Sequence, residues 1–307
     1  MRSRLGRWAR SRAAFYGYRG LAACLRTLPE PLALAGAELV SLGLAERRGA
    51  SAQMRLSHLD RVLRATGQKL DPSALRRMTR SAFRAYARYW VDGARLPKTS
   101  AQEVSSRMQA EGLEHLENAL AAGCGVVLAL PHVGSWEWGG SWLSAIGFPM
   151  TSVAEVLEPP ELFRWFIDQR RAIGLTVVPL DKEAGLTLLR TLRQGKLVGL
   201  LCDRDLVGNG VEVEFFGERT TLPGGPATLA LRAGAVLLTT AVYSGSNGQH
   251  YASVSAPIDT SRSGPIGEDV SRITQEIARH FEEYICRAPE QWHMFQPNWP
   301  SDRAALR

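Results

Sequence analysis

The sequence predicts an α/β protein with a mostly parallel central sheet covered by helices, preceded by a basic helical region. After Pro97, short strand-type segments alternate with helix-type segments, which is typical of a parallel sheet. Residues 125–130 and 196–202 are continuous apolar runs, as expected of strands buried on both faces. We therefore divide the chain into a basic helical, membrane-associating region, 1–97, and an α/β core, 98–307, which together form one integrated domain.

The composition indicates a folded protein with a strongly uneven charge distribution. The 307 residues are 45% hydrophobic and 22% charged, which excludes a disordered or fibrous chain. Residues 1–100 carry 20 Lys and Arg against 6 Asp and Glu, whereas residues 101–307 carry 17 against 24. A basic front half indicates an anionic partner, either a lipid surface or nucleic acid. The alternative is an ordinary solvated helical surface.

Three helical segments are predicted in the basic region: an arginine-rich one at the amino terminus, an apolar one from Pro31, and one over about 71–92. In the third, an arginine row and an aromatic row each recur at helical spacing. This pattern is typical of a helix at a membrane interface, but the aromatic row could equally pack into the protein core. The first segment is the better membrane candidate. Its residues are Arg4, Leu5, Arg7, Trp8, Arg10, Arg12, Ala13, Phe15 and Tyr16, and those of the third are Arg77, Arg80, Phe83, Arg84, Tyr86, Arg88 and Trp90.

No segment has the length and apolarity of a membrane span. The apolar stretch 32–44 is interrupted by Glu38 and is shorter than the roughly 20 residues required. The 4 cysteines form no C-x-x-C pair, so neither a disulfide framework nor a zinc site is expected. We expect a peripheral protein on the cytoplasmic face of the cell membrane.

One candidate catalytic residue follows the first buried strand. His132 comes directly after Pro131 at the strand's carboxyl end, where open α/β sheets bind ligands. A neutral imidazole there can act as a general base. Two acids are candidates to support it: Glu137, five positions later, and Asp203, just past the second buried strand. We favour Asp203 as the supporting carboxylate, and Glu137 could instead brace the following helix.

A glycine-rich turn, Pro223-Gly224-Gly225-Pro226, precedes a predicted helix. The backbone N–H groups of such a helix start can bind an oxyanion or a phosphate, which makes Gly225 a candidate substrate contact. The alternative is a plain loop.

Four stretches of the chain resemble a known family. The His-x4-acid element is similar to that of glycerolipid-type and lipid A-type acyltransferases, and the similarity to bacterial phosphatidylinositol mannoside acyltransferases is closer. The long block after the second buried strand and the carboxyl-terminal block are the most specific. The stretches are ALPHVGSWEWGG, FIDQRRAIGLTVVPL, LLCDRDLVGNGVEVEFFGERTTLPGGPATLA and EQWHMFQPNW.

The resemblance implies an O-acyltransferase that moves a palmitoyl-like chain from acyl-CoA to a mannose hydroxyl, O-6 of the mannose on inositol O-2, without cofactor or metal. It implies His132 as the catalytic histidine, Asp203 as its carboxylate and Arg170 as a basic residue of the site. Arg170 and Arg204 are candidate partners for phosphates or for site acids. The chain departs from the family, which usually has Asp at position 137 and Glu at position 203.

Three alternative functions were weighed. A lipid A-type or lysophospholipid O-acyltransferase differs only in its acceptor. A serine-type lipid hydrolase would use Ser135 or Ser246, but neither lies in a G-x-S-x-G elbow. A nucleic-acid-binding module is not supported, because no known recognition motif accompanies the basic charge; we expect no nucleic-acid partner.

Overall fold

The computed structural model describes the backbone of residues 2–47 and 49–305, and the side chains of these residues except 2–11, 14, 304 and 305. The predicted membrane-facing side chains Arg4, Leu5, Arg7, Trp8 and Arg10 therefore lie outside the described residues. Four helices form the amino-terminal region. They are α1 (Arg2–Thr27), α2 (Glu30–Glu46), α3 (Ala50–Ala65) and α4 (Pro72–Arg95).

The aromatic row of α4 packs against the rest of the protein. The helix begins at Asp71, whose side chain accepts hydrogen bonds from the backbone N–H groups of the first turn. Phe83 is only 5% exposed, and its ring lies 5.3 Å from that of Phe295. Tyr86 contacts the same ring at 4.7 Å. The packing of Phe83 and Tyr86 supports the core-packing alternative for this aromatic row.

The rest of the chain alternates strands and helices as predicted. The strands are β1 (Met108–Glu111), β2 (Val126–Leu130), β3 (Met150–Ala154), β4 (Thr176–Pro179), β5 (Leu197–Leu201), β6 (Val211–Phe215), β7 (Glu218–Leu222), β8 (Val236–Ser244) and β9 (His250–Val254). The helices are α5 (Ala101–Ser106), α6 (Leu113–Ala121), α7 (Trp136–Ala145), α8 (Pro160–Ala172), α9 (Ala184–Arg193), α10 (Gly225–Ala233), α11 (Ile266–Arg287) and α12 (Pro300–Ala305).

Within the described residues, seven strands form one sheet in the order β1-β9-β8-β2-β5-β3-β4. Every neighbouring pair is parallel except β8 and β9. The predicted mostly parallel sheet is therefore confirmed. Strands β6 and β7 form a separate antiparallel hairpin. Because β2 and β5 are parallel neighbours, their carboxyl ends lie side by side at one edge of the sheet.

Both faces of the sheet are covered, which explains the continuous apolar runs. All five residues of β2 are buried, and successive side chains enter opposite cores. Val127 belongs to a core that includes Phe281 of α11 and Trp292, whereas Leu128 belongs to the core that includes Trp142 of α7. Burial of each valine or leucine side chain contributes roughly 1.5–3 kcal/mol to stability, so this packing holds the carboxyl end of β2 in place.

In the part of the chain that the structure describes, every helix is too short or too polar to pass through a bilayer.

Candidate active site

The sheet brings His132 and Asp203 to the same place. Leu130 and Leu201, the last residues of β2 and β5, are paired in register, and the Cys202 N–H donates to the Leu130 carbonyl at 3.1 Å. His132 and Asp203 each follow two residues after these strand ends. Two adjacent parallel strands therefore place one imidazole and one carboxylate side by side, at the edge of the sheet where the carboxyl ends of the strands lie.

The two side chains form a closely hydrogen-bonded pair. The distance from His132 Nδ1 to Asp203 Oδ1 is 2.5 Å, and the His132 backbone N–H donates to Oδ2 at 2.9 Å. The Asp203 side chain is fully buried, whereas the His132 side chain is 21% exposed. The pair thus joins a buried carboxylate to an imidazole that solvent or substrate can reach.

The environment keeps Asp203 ionised. Burial alone would raise its pKa, but the adjacent His132 and the hydrogen bonds from His132 and Trp292 outweigh burial and lower the pKa below its ordinary value. An ionised carboxylate can only accept hydrogen bonds, so the proton between the two residues belongs to Nδ1. In the neutral ring Nε2 is then unprotonated, and no described residue hydrogen-bonds to it. This is the tautomer that a general base requires.

The carboxyl-terminal segment closes the other side of Asp203. The indole Nε1–H of Trp292 donates to Asp203 Oδ2 at 2.7 Å, and the Asn298 side chain donates to the Asp203 carbonyl at 3.1 Å. These two residues lie in the stretch EQWHMFQPNW, but the sequence analysis assigned them no role. Only the resemblance pointed to this stretch, since nothing local connects residue 292 with residue 203.

Glu137 does not support His132 in this structure. Its carboxylate pairs with Arg170 of α8, with both the Nε and Nη2 atoms 3.0 Å from Oε1. Burial opposes the charge of Arg170, but Glu137 and the Tyr89 side chain more than compensate, so the pKa of Arg170 is raised. The pair ties α7 to α8, in agreement with the bracing alternative for Glu137. Arg170 is therefore the partner of a site acid.

The other predicted substrate contacts are not joined to the pair. The Arg204 guanidinium lies 3.7 Å from the carboxylate of Glu155. Gly225 is the exposed first residue of α10, and no described contact links it to His132 or Asp203. Their roles in substrate binding stay predictions.

The candidate serine nucleophiles are badly placed for that role. Ser135 is 2% exposed, and its Oγ lies 2.9 Å from Ser244 Oγ and 3.3 Å from Asp92 Oδ2. Ser246 lies in a short 3-10 turn after β8. Neither hydroxyl hydrogen-bonds to His132 among the described contacts, which disfavours a serine hydrolase.

A mainly apolar cleft with about 50 Å³ of open space lies near the site, although neither His132 nor Asp203 lines it. It is bounded by α1, α4 and α8, and the Glu137–Arg170 pair lies on its wall. Tyr89 of the cleft stacks on Trp136 at 4.3 Å between ring centres, and Trp136 packs edge-on against His132 at 5.2 Å. The apolar lining residues include Leu21, Ala22, Leu25, Trp90, Trp165 and Phe166. Such a cavity suits a hydrocarbon ligand.

Within residues 2–47 and 49–305, no group of three or more His, Cys, Asp or Glu side chains is arranged to hold a metal ion.

The chain is similar to several bacterial acyltransferases. The family model described as bacterial lipid A biosynthesis acyltransferase matches residues 11–301. A phosphatidylinositol mannoside acyltransferase of Mycobacterium tuberculosis is 40% identical over 232 residues, which cover 74% of this chain and 72% of that protein. The protein of the same name from Mycolicibacterium smegmatis is 36% identical over 281 residues, 91% of this chain and 88% of that one. A lipid A biosynthesis acyltransferase of Haemophilus influenzae is 26% identical over 197 residues, 63% of this chain and 59% of its own length.

Proposed function

Since this chain belongs to the bacterial lipid A biosynthesis acyltransferase family and is an O-acyltransferase, we propose that it moves a fatty acyl chain from acyl-CoA to a mannose hydroxyl of a phosphatidylinositol mannoside. The observation that carries the chemistry is the His132–Asp203 pair, with Nδ1 taken by the carboxylate and Nε2 free. The acceptor is inferred from the names and the identity of the mycobacterial relatives. The finer assignment is a palmitoyl-like chain on O-6 of the mannose attached to inositol O-2.

The reaction needs one proton acceptor and an oriented thioester. His132 Nε2 takes the proton from the mannose hydroxyl as its oxygen attacks the thioester carbonyl. The new carbon–oxygen bond forms, the carbon–sulfur bond breaks, and the proton passes from the imidazolium to the departing thiolate. Asp203, held ionised, stabilises the imidazolium while it exists. In this mechanism no covalent acyl-enzyme is formed.

The apolar cleft is the proposed site of the acyl chain. Each methylene that leaves water for an apolar lining contributes about 0.8 kcal/mol, and the lining side chains would have to move apart to admit a long chain, since the open space is about 50 Å³. Through Tyr89 and Trp136 the cleft wall reaches His132, which would place the thioester end of the chain near the base. Anchoring of the chain would orient the carbonyl for attack.

We further propose that the amino-terminal helices dock on the cytoplasmic face of the membrane. On α2, Leu32, Leu39 and Val40 are 60%, 72% and 67% exposed. The first 26 residues contain seven arginines and no acid. Exposed apolar side chains on one helix and a basic sequence in another suit the interface of an anionic bilayer.

The docking proposal is tested with flotation on vesicles that contain phosphatidylinositol. Replacement of Arg2, Arg4, Arg7 and Arg10 by Gln is expected to weaken binding more at low salt than at high salt. The control neutralises Arg190 and Arg279, which are exposed arginines of α9 and α11. Equal partitioning of all three proteins would reject the amino-terminal helix as the anchor.

A lipid A-type acceptor is the second candidate, because the family model and the Haemophilus relative carry that name. Incubation with radiolabelled palmitoyl-CoA and separate acceptors distinguishes the candidates: mannosylated phosphatidylinositols, lysophospholipids and lipid A precursors. The proposal expects labelled product with the mannosylated lipids alone. Transfer to a lipid A precursor or a lysophospholipid in their place would overturn the acceptor assignment.

A further inference from the structure

The carboxylate of Asp203 accepts three hydrogen bonds, and two of them come from His132 itself. The third comes from Trp292, whose Nε1–H lies 2.7 Å from Oδ2. If the donors of His132 were the only ones, the carboxylate could move together with the loop that carries His132, because the terminal torsion of an aspartate is soft. Among the described residues, Trp292 is the one side-chain donor to this carboxylate that lies outside the loop that carries His132.

The indole itself has no freedom to turn. Trp292 is fully buried, and its ring packs between those of His58, Phe215 and Phe216 at centre distances of 5.5, 6.2 and 6.1 Å. In addition, the Arg55 guanidinium lies 5.9 Å from the ring centre. A tightly packed interior permits little rotation of such a large side chain. The direction of the N–H is therefore set by the core.

The backbone around Trp292 is also hydrogen-bonded to the loop that carries His132. Val133 and Trp292 form an antiparallel bridge, and the His293 N–H donates to the His132 carbonyl at 2.7 Å. The Gly134 N–H donates to the Gln291 carbonyl at 2.9 Å. One short segment thus holds the backbone of His132 and, through the indole, the carboxylate that faces its ring.

We propose that Trp292 is a positioning residue: its indole N–H fixes the Asp203 carboxylate so that Oδ1 faces His132 Nδ1 throughout the proton transfer. This role rests on the proposed function of His132 as the base. A carboxylate already in place stabilises the imidazolium without having to reorganise when the charge appears. The indole does not touch the substrate in this account.

Trp292→Phe removes the donor and keeps a ring in the core. Trp299→Phe is the control for packing: Trp299 is also fully buried and its ring lies 6.1 Å from that of Trp292, but its Nε1–H donates to the Phe215 carbonyl at 3.1 Å and not to Asp203. A hydrogen bond to a charged group is commonly worth a factor of roughly 10 to 100 in rate, so kcat should fall by that factor in Trp292→Phe. KM for acyl-CoA should change less than about twofold, because the lost interaction acts on the transition state. Trp299→Phe disturbs the same packing but keeps the donor to Asp203, so it should keep kcat within about threefold.

A spectroscopic readout separates positioning from a general loss of stability. The proton shared by His132 Nδ1 and Asp203 should give a strongly deshielded, exchange-protected NMR resonance in protein labelled with ¹⁵N-histidine. We expect the resonance in the wild-type protein and in Trp299→Phe, and its loss or upfield shift in Trp292→Phe. If Trp292→Phe does not fold, benzothienylalanine at position 292, introduced by ligation of a carboxyl-terminal peptide, keeps the ring shape and lacks only the N–H.

The outcomes distinguish this proposal from the proposed function. An unchanged resonance and an unchanged kcat in either folded Trp292 variant would overturn the positioning role, and so would equal losses in Trp292→Phe and Trp299→Phe. The NMR contrast requires no acceptor. The expected contrast in a protein that is inactive on mannosylated lipids would therefore overturn the acceptor assignment and leave the role of Trp292 intact.

Discussion

Replacement of Asp203 by Asn tests the supporting carboxylate in detail, because the two side chains have nearly the same shape. The carboxylate receives three N–H groups: His132 Nδ1 at Oδ1, and the His132 backbone and Trp292 at Oδ2. Asparagine offers one acceptor oxygen and two donor hydrogens. Its oxygen best serves the position that receives two donors, so its NH₂ group would face His132 Nδ1.

That arrangement reverses the tautomer of the histidine. Nδ1 must then accept, the neutral ring carries its proton on Nε2, and Nε2 cannot take a proton from the acceptor hydroxyl. The corresponding exchange in a serine-protease triad costs about 10⁴-fold in kcat, which equals about 5 kcal/mol of transition-state stabilisation. We expect a loss of the same order in Asp203→Asn. Asp203→Glu keeps the carboxylate and should retain activity within roughly tenfold, limited by the extra methylene in a packed site.

The assay is transfer of radiolabel from acyl-CoA to extracted lipid under saturating conditions, with circular dichroism and the thermal midpoint as checks of folding. A folded Asp203→Asn protein whose kcat lies within about threefold of wild type would refute the tautomer argument. A deficit in Asp203→Glu as large as in Asp203→Asn would show that shape, and not charge, governs the position.

Two further predictions concern stability. Glu137→Gln leaves the largely buried charge of Arg170 without its partner and should cost roughly 2–3 kcal/mol of unfolding free energy in urea, with a far smaller effect on kcat than Asp203→Asn. Glu155→Gln, at the 54% exposed partner of Arg204, should cost under about 1 kcal/mol, and similar losses in the two variants would contradict this account. Burial, together with Arg88 and Arg107, lowers the pKa of His250 to about 3, whereas an unfolded histidine titrates near about 6.5. Below about pH 6.5 unfolding therefore takes up a proton at this residue. As the pH falls from 7 to 5, His250 should lower the free energy of unfolding by about 2 kcal/mol. His250→Asn should lose correspondingly less over this interval, and an equal pH dependence of the two proteins would exclude His250 as the cause.

Much of the architecture followed from local pattern. The buried runs that became β2 and β5 were predicted to within a few residues, because a strand buried on both faces needs continuous apolar sequence. Strand β1 and helix α6 were not predicted. β1 has only four residues, three of them exposed, so its sequence carries no apolar alternation.

The site was predictable where strand ends determined it. Asp203 could be placed near His132 because both follow buried strands of a parallel sheet. The partner of Glu137 could not be identified from spacing alone, since Arg170 lies on a different helix and 33 residues further along the chain. The role of Trp292 was equally hidden, because 89 residues separate it from Asp203 and only the folded core brings them together.

The most direct test of the central claim is acyl transfer by His132→Gln, which keeps a polar side chain and removes the base. With radiolabelled palmitoyl-CoA and a mannosylated phosphatidylinositol, this account predicts that the folded variant loses roughly 10²- to 10⁴-fold in kcat, with KM for acyl-CoA almost unchanged. Wild-type turnover by a folded His132→Gln protein would contradict proton abstraction by this imidazole.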